Sequence, residues 1–164
     1  MKINNELEKM LNDQLHGELE SAYLYHIMAN WASQHNYKGL EQWLLLQSKE
    51  EFSHSEKIKN YLYTRDNKVK FAPINIIADD WKSFKDILEA GLTQEQKVTA
   101  SIANIHKKAT ELGDAGVALL MNWFVDEQEE EEETLRDLLG LFEAFGESGC
   151  TFYQVDKKMG KREN

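Results

Sequence analysis

Four long stretches of this chain carry an apolar seam at helical spacing, and each seam is interrupted near its middle by side chains able to bind a metal. The first seam runs Leu7, Leu11, Glu18, Ala22, Tyr25, Ala29, and the second Leu44, Gln47, Glu51, His54, Ile58, Tyr61. The third is Phe84, Leu88, Gly91, Glu95, Val98, Ile102, Ile105, and the fourth Val117, Met121, Phe124, Gln128, Glu131, Leu135, Leu138. Steps of three, four or seven keep residues on one helix face, the face that packs inward. A carboxylate on that face is costly unless it is paired or coordinates a cation. One intrusion is an accident of sequence; four at matching depth define a site.

The spacing predicts helices over roughly residues 5–34, 38–66, 81–110 and 114–141. Glu18, Glu51, Glu95 and the Gln128/Glu131 pair then lie near mid-helix, roughly 20 Å from either end at about 1.5 Å per residue. A mid-helix position stays at mid-height whichever way its helix runs. In a single bundle these groups therefore meet in one acidic layer. With 164 residues the chain is read as one domain, residues 1–164, long enough to bury a core. A single Pro, and few β-branched runs outside residues 67–80, favour an all-α protein.

The connections set the topology. His35 to Lys38 is a short turn, and Gly113 with Asp114 makes another, Asp114 serving as N-cap of the fourth helix. Short links join antiparallel neighbours. Asn67 to Asp80 is longer and holds Pro73 and the apolar run Ile74–Ala78. At about 3.3 Å per residue it reaches roughly 46 Å, enough to return along the bundle and leave helices two and three parallel.

Beyond the breaker cluster Gly146–Gly149, Phe152, Val155 and Met159 fall at helical spacing, which predicts a short fifth helix at about 147–158. A helix this short needs a surface to pack on. Two readings stand at this level: a tail docked on its own bundle, or a helix that meets copies of itself in an oligomer.

The formal charge of −10 argues against a nucleic-acid partner and is compatible with attracting cations or simply with solubility. No uninterrupted apolar stretch could span a bilayer, and the first residues lack an apolar signal core. One cysteine, Cys150, excludes an intramolecular disulfide framework and fits a reducing cytoplasm.

Glu51 and His54 form Glu-x-x-His, which puts a carboxylate and an imidazole on one helix face; Glu18 and Glu95 add carboxylates from two other helices. Dinuclear carboxylate sites in helix bundles take a Glu from two helices and Glu-x-x-His from the other two. Here the fourth helix supplies Gln128-x-x-Glu131 instead, giving an asymmetric, oxygen-rich set with one nitrogen. Such donors suit iron or manganese rather than a structural zinc. His16, His26, His35 and His106 fall off the seams and read as structural, and Glu129, Glu132 and Glu133 as a solvated face.

Several segments carry a family likeness: Asn12-Asp13-Gln14 ahead of Glu18, Tyr23-Leu24-Tyr25, Lys49-Glu50-Glu51-Phe52-Ser53-His54, Glu95-Gln96, and the run from Asn122 to Glu131. The chain resembles the bacterial non-haem ferritins over essentially its whole length. That resemblance implies a ferritin-like four-helix bundle with one long crossover and a short fifth helix. It also implies a ferroxidase centre at Glu18, Glu51, His54, Glu95, Gln128 and Glu131. In that scheme Glu18 and His54 hold the first iron, Glu51 bridges, Glu95 and Glu131 hold the second, and Gln128 stands close by. Glu50, Glu127 and Glu130 stand at the positions of a third iron, and Tyr25 and Trp123 match aromatic residues beside the centre.

Bacterioferritins resemble the same fold but carry a second Glu-x-x-His on the fourth helix and bind haem through a methionine where this chain has Phe52. The expectation is therefore no haem. The resemblance implies that Fe(II) is oxidised by dioxygen or peroxide, and that a homo-oligomeric cage of 24 subunits stores the ferric mineral. The fifth helix would sit at a four-fold junction of that cage. Two alternatives accompany this reading: a peroxide-consuming di-iron protein of the rubrerythrin kind, opposed by the absence of a Cys-x-x-Cys module, and a non-catalytic bundle whose polar layer only sets helix register.

Overall fold

A computed structural model describes residues 1–75 and 79–163. Five helices account for the described secondary structure: α1 (Asn5–Gln34), α2 (Lys38–Thr64), α3 (Phe84–Glu111), α4 (Ala115–Phe145) and α5 (Gly149–Met159). No helix among the described residues is long and apolar enough to cross a membrane. Of the apolar 74–78 run, residues 76–78 lie outside the described residues.

Local chemistry accounts for the helix ends. Asn4 caps α1 by accepting from the Glu6 N–H, and Asp114 caps α4 by accepting from the Val117 N–H at 3.1 Å. Ser83 and Asp86 form a reciprocal capping box, so α3 begins at Phe84 rather than near residue 81. Trp81 stays outside the helix, where its carbonyl accepts from Trp31 Nε1 at 2.9 Å. α4 runs on to Phe145, past the expected end near 141, and stops where Gly146 adopts a φ of 75°. α2 ends at Thr64, two residues early, and α5 covers Gly149–Met159 rather than 147–158.

Side-chain contacts fix the directions of the helices. Ser48 Oγ donates to the Ala22 carbonyl while Asn67 Oδ1 accepts from the Ile3 N–H, which makes α1 and α2 antiparallel. Lys108 pairs with Glu6 and Gln94 donates to Ser21, so α3 is also antiparallel to α1. α2 and α3 are therefore parallel, as the long crossover requires. The start of that crossover is strapped to α1: Asn12 Nδ2 donates to the Lys68 carbonyl, and Asn12 Oδ1 accepts from the Lys70 N–H.

The apolar interior is in two parts. One cluster holds Tyr25, Met28, Leu44, Leu88 and Leu135, and the other Leu11, Leu15, Ile58, Val98 and Phe124. Between them lies a layer of buried Glu18, Gln47, Glu51, His54, Glu95, Gln128 and Glu131. All the seam residues are buried except Tyr61, which is half-buried with its hydroxyl on Arg65; Leu62 takes the inward position. The fifth-helix stripe packs on its own chain. Val155 and Met159 are buried against the end of the bundle, and Phe152 meets Phe84 and Phe142 at ring separations of 6.1 and 5.2 Å.

Candidate metal centre

Each helix of the bundle brings its mid-height group to one place. Glu18, Glu51 and His54 offer donor atoms that all lie within 4.8 Å of one another, and so do Glu51, Glu95 and Glu131. Glu51 belongs to both groups. It is therefore shared by two neighbouring three-donor groups, each of which could hold a metal ion. Glu18, Glu51 and Glu95 are fully buried, His54 is 2% exposed and Glu131 8%.

Glutamine amides hold these carboxylates in place. Gln14 Nε2 donates to Glu18 Oε1 at 2.7 Å, one helical turn away on α1. Gln47 does the same on α2, donating to Glu51 Oε1 at 3.0 Å and also to Glu131 Oε2 at 2.7 Å. Gln128 Nε2 donates to Glu95 Oε2 at 3.0 Å, and the Tyr25 hydroxyl donates to Glu95 Oε1. Neutral donors thus orient one oxygen each of Glu18, Glu51 and Glu131, and both oxygens of Glu95. The other oxygens of Glu18 and Glu51, both named Oε2, have no partner, and neither has His54 Nδ1. Buried polar atoms are rarely left this way, because each costs on the order of 1–3 kcal/mol. Of the four such atoms among the described residues, the fourth being His16 Nδ1, these three belong to one triad, and a cation between them would satisfy all three. The donor set, mostly carboxylate with one imidazole, fits iron.

The layer concentrates buried carboxylates. Burial raises Glu131 to about 9 and Glu95 to about 7, with Glu95 and Glu51 respectively as the main like-charged neighbours. Burial and the Glu51 charge lift Glu18 well above the usual carboxylate range. Burial lifts the Tyr25 phenol well above its ordinary value, and Glu95 beside it adds to that. His54 is pulled down by burial, yet the Glu51 carboxylate, with Glu50 and Glu127 beyond it, outweighs that and leaves it raised. Its Nδ1 lies 3.6 Å from Glu51 Oε2, an ion-pair distance rather than a formed hydrogen bond.

A second, shallower cluster adjoins the first. Glu50, His54 and Glu127 form a third group with donors within 4.8 Å, His54 Nε2 lying 3.7 Å from Glu127 Oε2. The two nitrogens of His54 thus face two different acidic groups. A cavity of about 310 Å³ opens here, lined by Glu50, Glu127, Glu130 and Glu131 among others. Trp123 stands edge-on to His54 at 5.6 Å, with Lys57 Nζ 3.8 Å from the centroid of its own ring.

The buried layer brings together Glu18, Glu51, His54, Glu95, Gln128 and Glu131, with Tyr25 bonded to Glu95. Gln128 lies in the layer, with its amide turned onto Glu95. Glu127 and Glu50 join the outer cluster; Glu130 lines the cavity but is exposed, and His54 rather than Glu130 completes that group. Sequence reasoning assigned no task to Gln14 and Gln47, although each sits four residues before a candidate ligand on the same face. It also missed Arg162, which enters the cavity wall from beyond α5.

The ferritin-like domain family model matches residues 8–145. The bacterial non-heme ferritin of Staphylococcus aureus (strain USA300) is 30% identical over 160 residues, which cover 98% of this chain and 96% of that protein. That of Staphylococcus haemolyticus (strain JCSC1435) is 31% identical with the same coverage. Among solved structures, an open pore ferritin from the archaeon Archaeoglobus fulgidus superposes with a TM-score of 0.95 at 28% identity, covering 98% of both chains.

Proposed function

Since the chain belongs to the ferritin family, we propose that it oxidises Fe(II) at the buried layer and stores the ferric product as a mineral inside a shell built from 24 copies of itself. The observation that supports this most directly is the pair of three-ligand groups sharing Glu51, with three orphaned donor atoms facing inward. Iron is the substrate here. Glu18 and His54 take one Fe(II), Glu95 and Glu131 take another, and Glu51 spans them.

The residues do three things. They gather charge: binding two divalent ions relieves the mutual repulsion of Glu18, Glu51, Glu95 and Glu131 and displaces the protons that burial favours on Glu18, Glu95 and Glu131. They fix distance, because Gln14, Gln47, Gln128 and Tyr25 each clamp a carboxylate oxygen and leave little freedom for the ligands to drift. They bias redox state, since anionic oxygens favour Fe(III) over Fe(II). Two Fe(II) give up one electron each, and dioxygen takes two electrons and two protons to leave as hydrogen peroxide. Glu50 and Glu127, with His54, provide the outer position for a third iron on the way to the storage cavity, Glu130 lying beside it.

In this reading the working partners are Fe(II), dioxygen or peroxide, and other copies of the chain, in a reducing cytoplasm where Cys150 stays a free thiol. The test is anaerobic loading of the full-length protein with Fe(II), followed by oxygen, with ferric absorbance and sedimentation recorded together. The expected result is a fast phase that saturates at two irons per chain, on particles of shell size. Oxidation no faster than that of free Fe(II) in the same buffer would overturn the reading.

A further inference from the structure

Arg162 lies three residues beyond the end of α5 and reaches back into the acidic cavity beside the buried layer. Its Nη1 donates to Gln47 Oε1 at 2.7 Å, and its Nη2 pairs with Glu50 Oε2. The guanidinium carbon stands 5.0 Å from the centroid of the Trp43 ring, and the Arg162 carbonyl accepts from Gln42 Nε2 at 3.3 Å. The side chain is therefore held on three sides, as a planar fork over an aromatic face permits and a lysine ammonium does not.

Both partners of this cation lead to metal-binding groups. Glu50 is one of the three members of the outer cluster, with His54 and Glu127. Gln47, the other partner, passes its two amide protons to Glu51 and Glu131 in the buried layer. A guanidinium on Glu50 occupies the charge that an incoming cation would use, and two cations on one carboxylate repel. Arg162 and Glu50 side chains are 27% and 35% exposed, so the pair is shallow enough to open and close.

We propose that Arg162 is a tethered cation that competes with iron for Glu50, so that the outer cluster takes a metal only when the guanidinium moves aside. The C-terminal segment would then govern how readily iron passes from the buried pair to the storage cavity. This rests on the metal-site reading above, and its failure can be told apart from the failure of that reading.

The experiment is calorimetric titration of the metal-free, full-length protein with Zn(II), which binds without redox chemistry. In the parent, two tight sites and one weaker site per chain are expected. Arg162→Gln removes the charge and leaves a shorter, neutral polar side chain, and should tighten the weaker site roughly three- to tenfold. Arg162→Lys keeps the charge but loses the fork, and should tighten that site less than Arg162→Gln does. In a Glu50→Gln background the contested carboxylate is gone, so Arg162→Gln should change nothing. Two tight sites with a third that is unmoved or weakened by Arg162→Gln would overturn the proposal. A parent with no tight sites at all would instead overturn the metal-site reading on which it rests.

Discussion

Gly39 of α2 lies directly against the backbone of Asp156 in α5: a Cβ on Gly39 would stand 1.7 Å from the Asp156 carbonyl oxygen. At the same point the Asp156 carboxylate accepts a hydrogen bond from the Leu40 N–H at 2.8 Å. This backbone approach lets an 11-residue helix, too short to hold itself together in water, find a seat on the bundle. It also delivers Arg162 to the acidic cavity.

Gly39→Ala tests that seat by the sign of its effect. In an open helix the substitution would stabilise by up to about 1 kcal/mol. Here the added methyl must push α5 away and expose Val155 and Met159, so the chain should lose stability. Chemical denaturation gives the sign, and limited proteolysis should cut the segment after Gly146 faster. A more stable variant with α5 still protected would rule the contact out as a determinant of docking.

Glu51→Ala removes the carboxylate common to both three-ligand groups. Fast iron oxidation should fall by more than about a hundredfold, beyond the usual effect of losing a supporting residue. The metal-free fold should hold or gain stability, because Glu18, Glu95 and Glu131 lose a like-charged neighbour. Stopped-flow absorbance and thermal melting check the two halves separately. Oxidation at the parent rate would dismiss the assignment of the centre.

Tyr25→Phe leaves the ring packing against Trp43, 6.4 Å away, and deletes only the hydroxyl that donates to Glu95. Glu95 then keeps Gln128 as its remaining donor. Affinity for the second of the two tight metals should weaken about 10- to 100-fold while the first changes little. Stepwise Zn(II) titration resolves the two; equal weakening of both would contradict the division of ligands.

Acidity gives a prediction of definite sign. In the metal-free protein burial raises Glu95 to about 7, Glu131 to about 9 and Glu18 well above 4.5. A carboxyl whose folded pKa exceeds its unfolded value binds more protons in the native state. Its contribution to stability is complete below about pH 4.5 and is lost as pH rises through the folded value. Metal-free stability should therefore fall between about pH 5 and 9, by a few kcal/mol. Zn(II) affinity should rise over the same window, because binding must expel those protons. A denaturation midpoint that stays level across that range would contradict the raised values.

Glu127 and Glu130 both line the cavity and lie about one helical turn apart on α4, yet the geometry separates them. Glu127 belongs to the group with Glu50 and His54, whereas Glu130 is exposed at the cavity wall. Glu127→Ala should weaken the outer metal site and alter the irons oxidised per dioxygen. Glu130→Ala should do so much less, and both should leave the first two irons binding. If the two variants weaken the outer site equally, Glu130 is a ligand after all.

The four interrupted seams were legible before any fold was known, because helical period is a local property. Residues three or four apart share a face regardless of what packs on it. Glu18, Glu51, Glu95 and Glu131 could be placed at one height for the same reason, since mid-helix lies at mid-bundle in either direction. Ser83 could not be recognised as the start of α3 from the seam alone, because its capping box is made by the Ser83 and Asp86 side chains accepting from backbone N–H groups and not by apolar spacing. Spacing put Gln47 on the inward seam but gave it no partner. Its role appears only when Glu131, 84 positions away, is folded against it. Arg162 lies further still, 115 positions from the Gln47 that it contacts. Its approach depends on the bare Cα of Gly39 and on the burial of Val155 and Met159. Local spacing therefore determined which residues face inward, while the tertiary packing decided which carboxylate each donor holds and where the chain's own cation comes to rest.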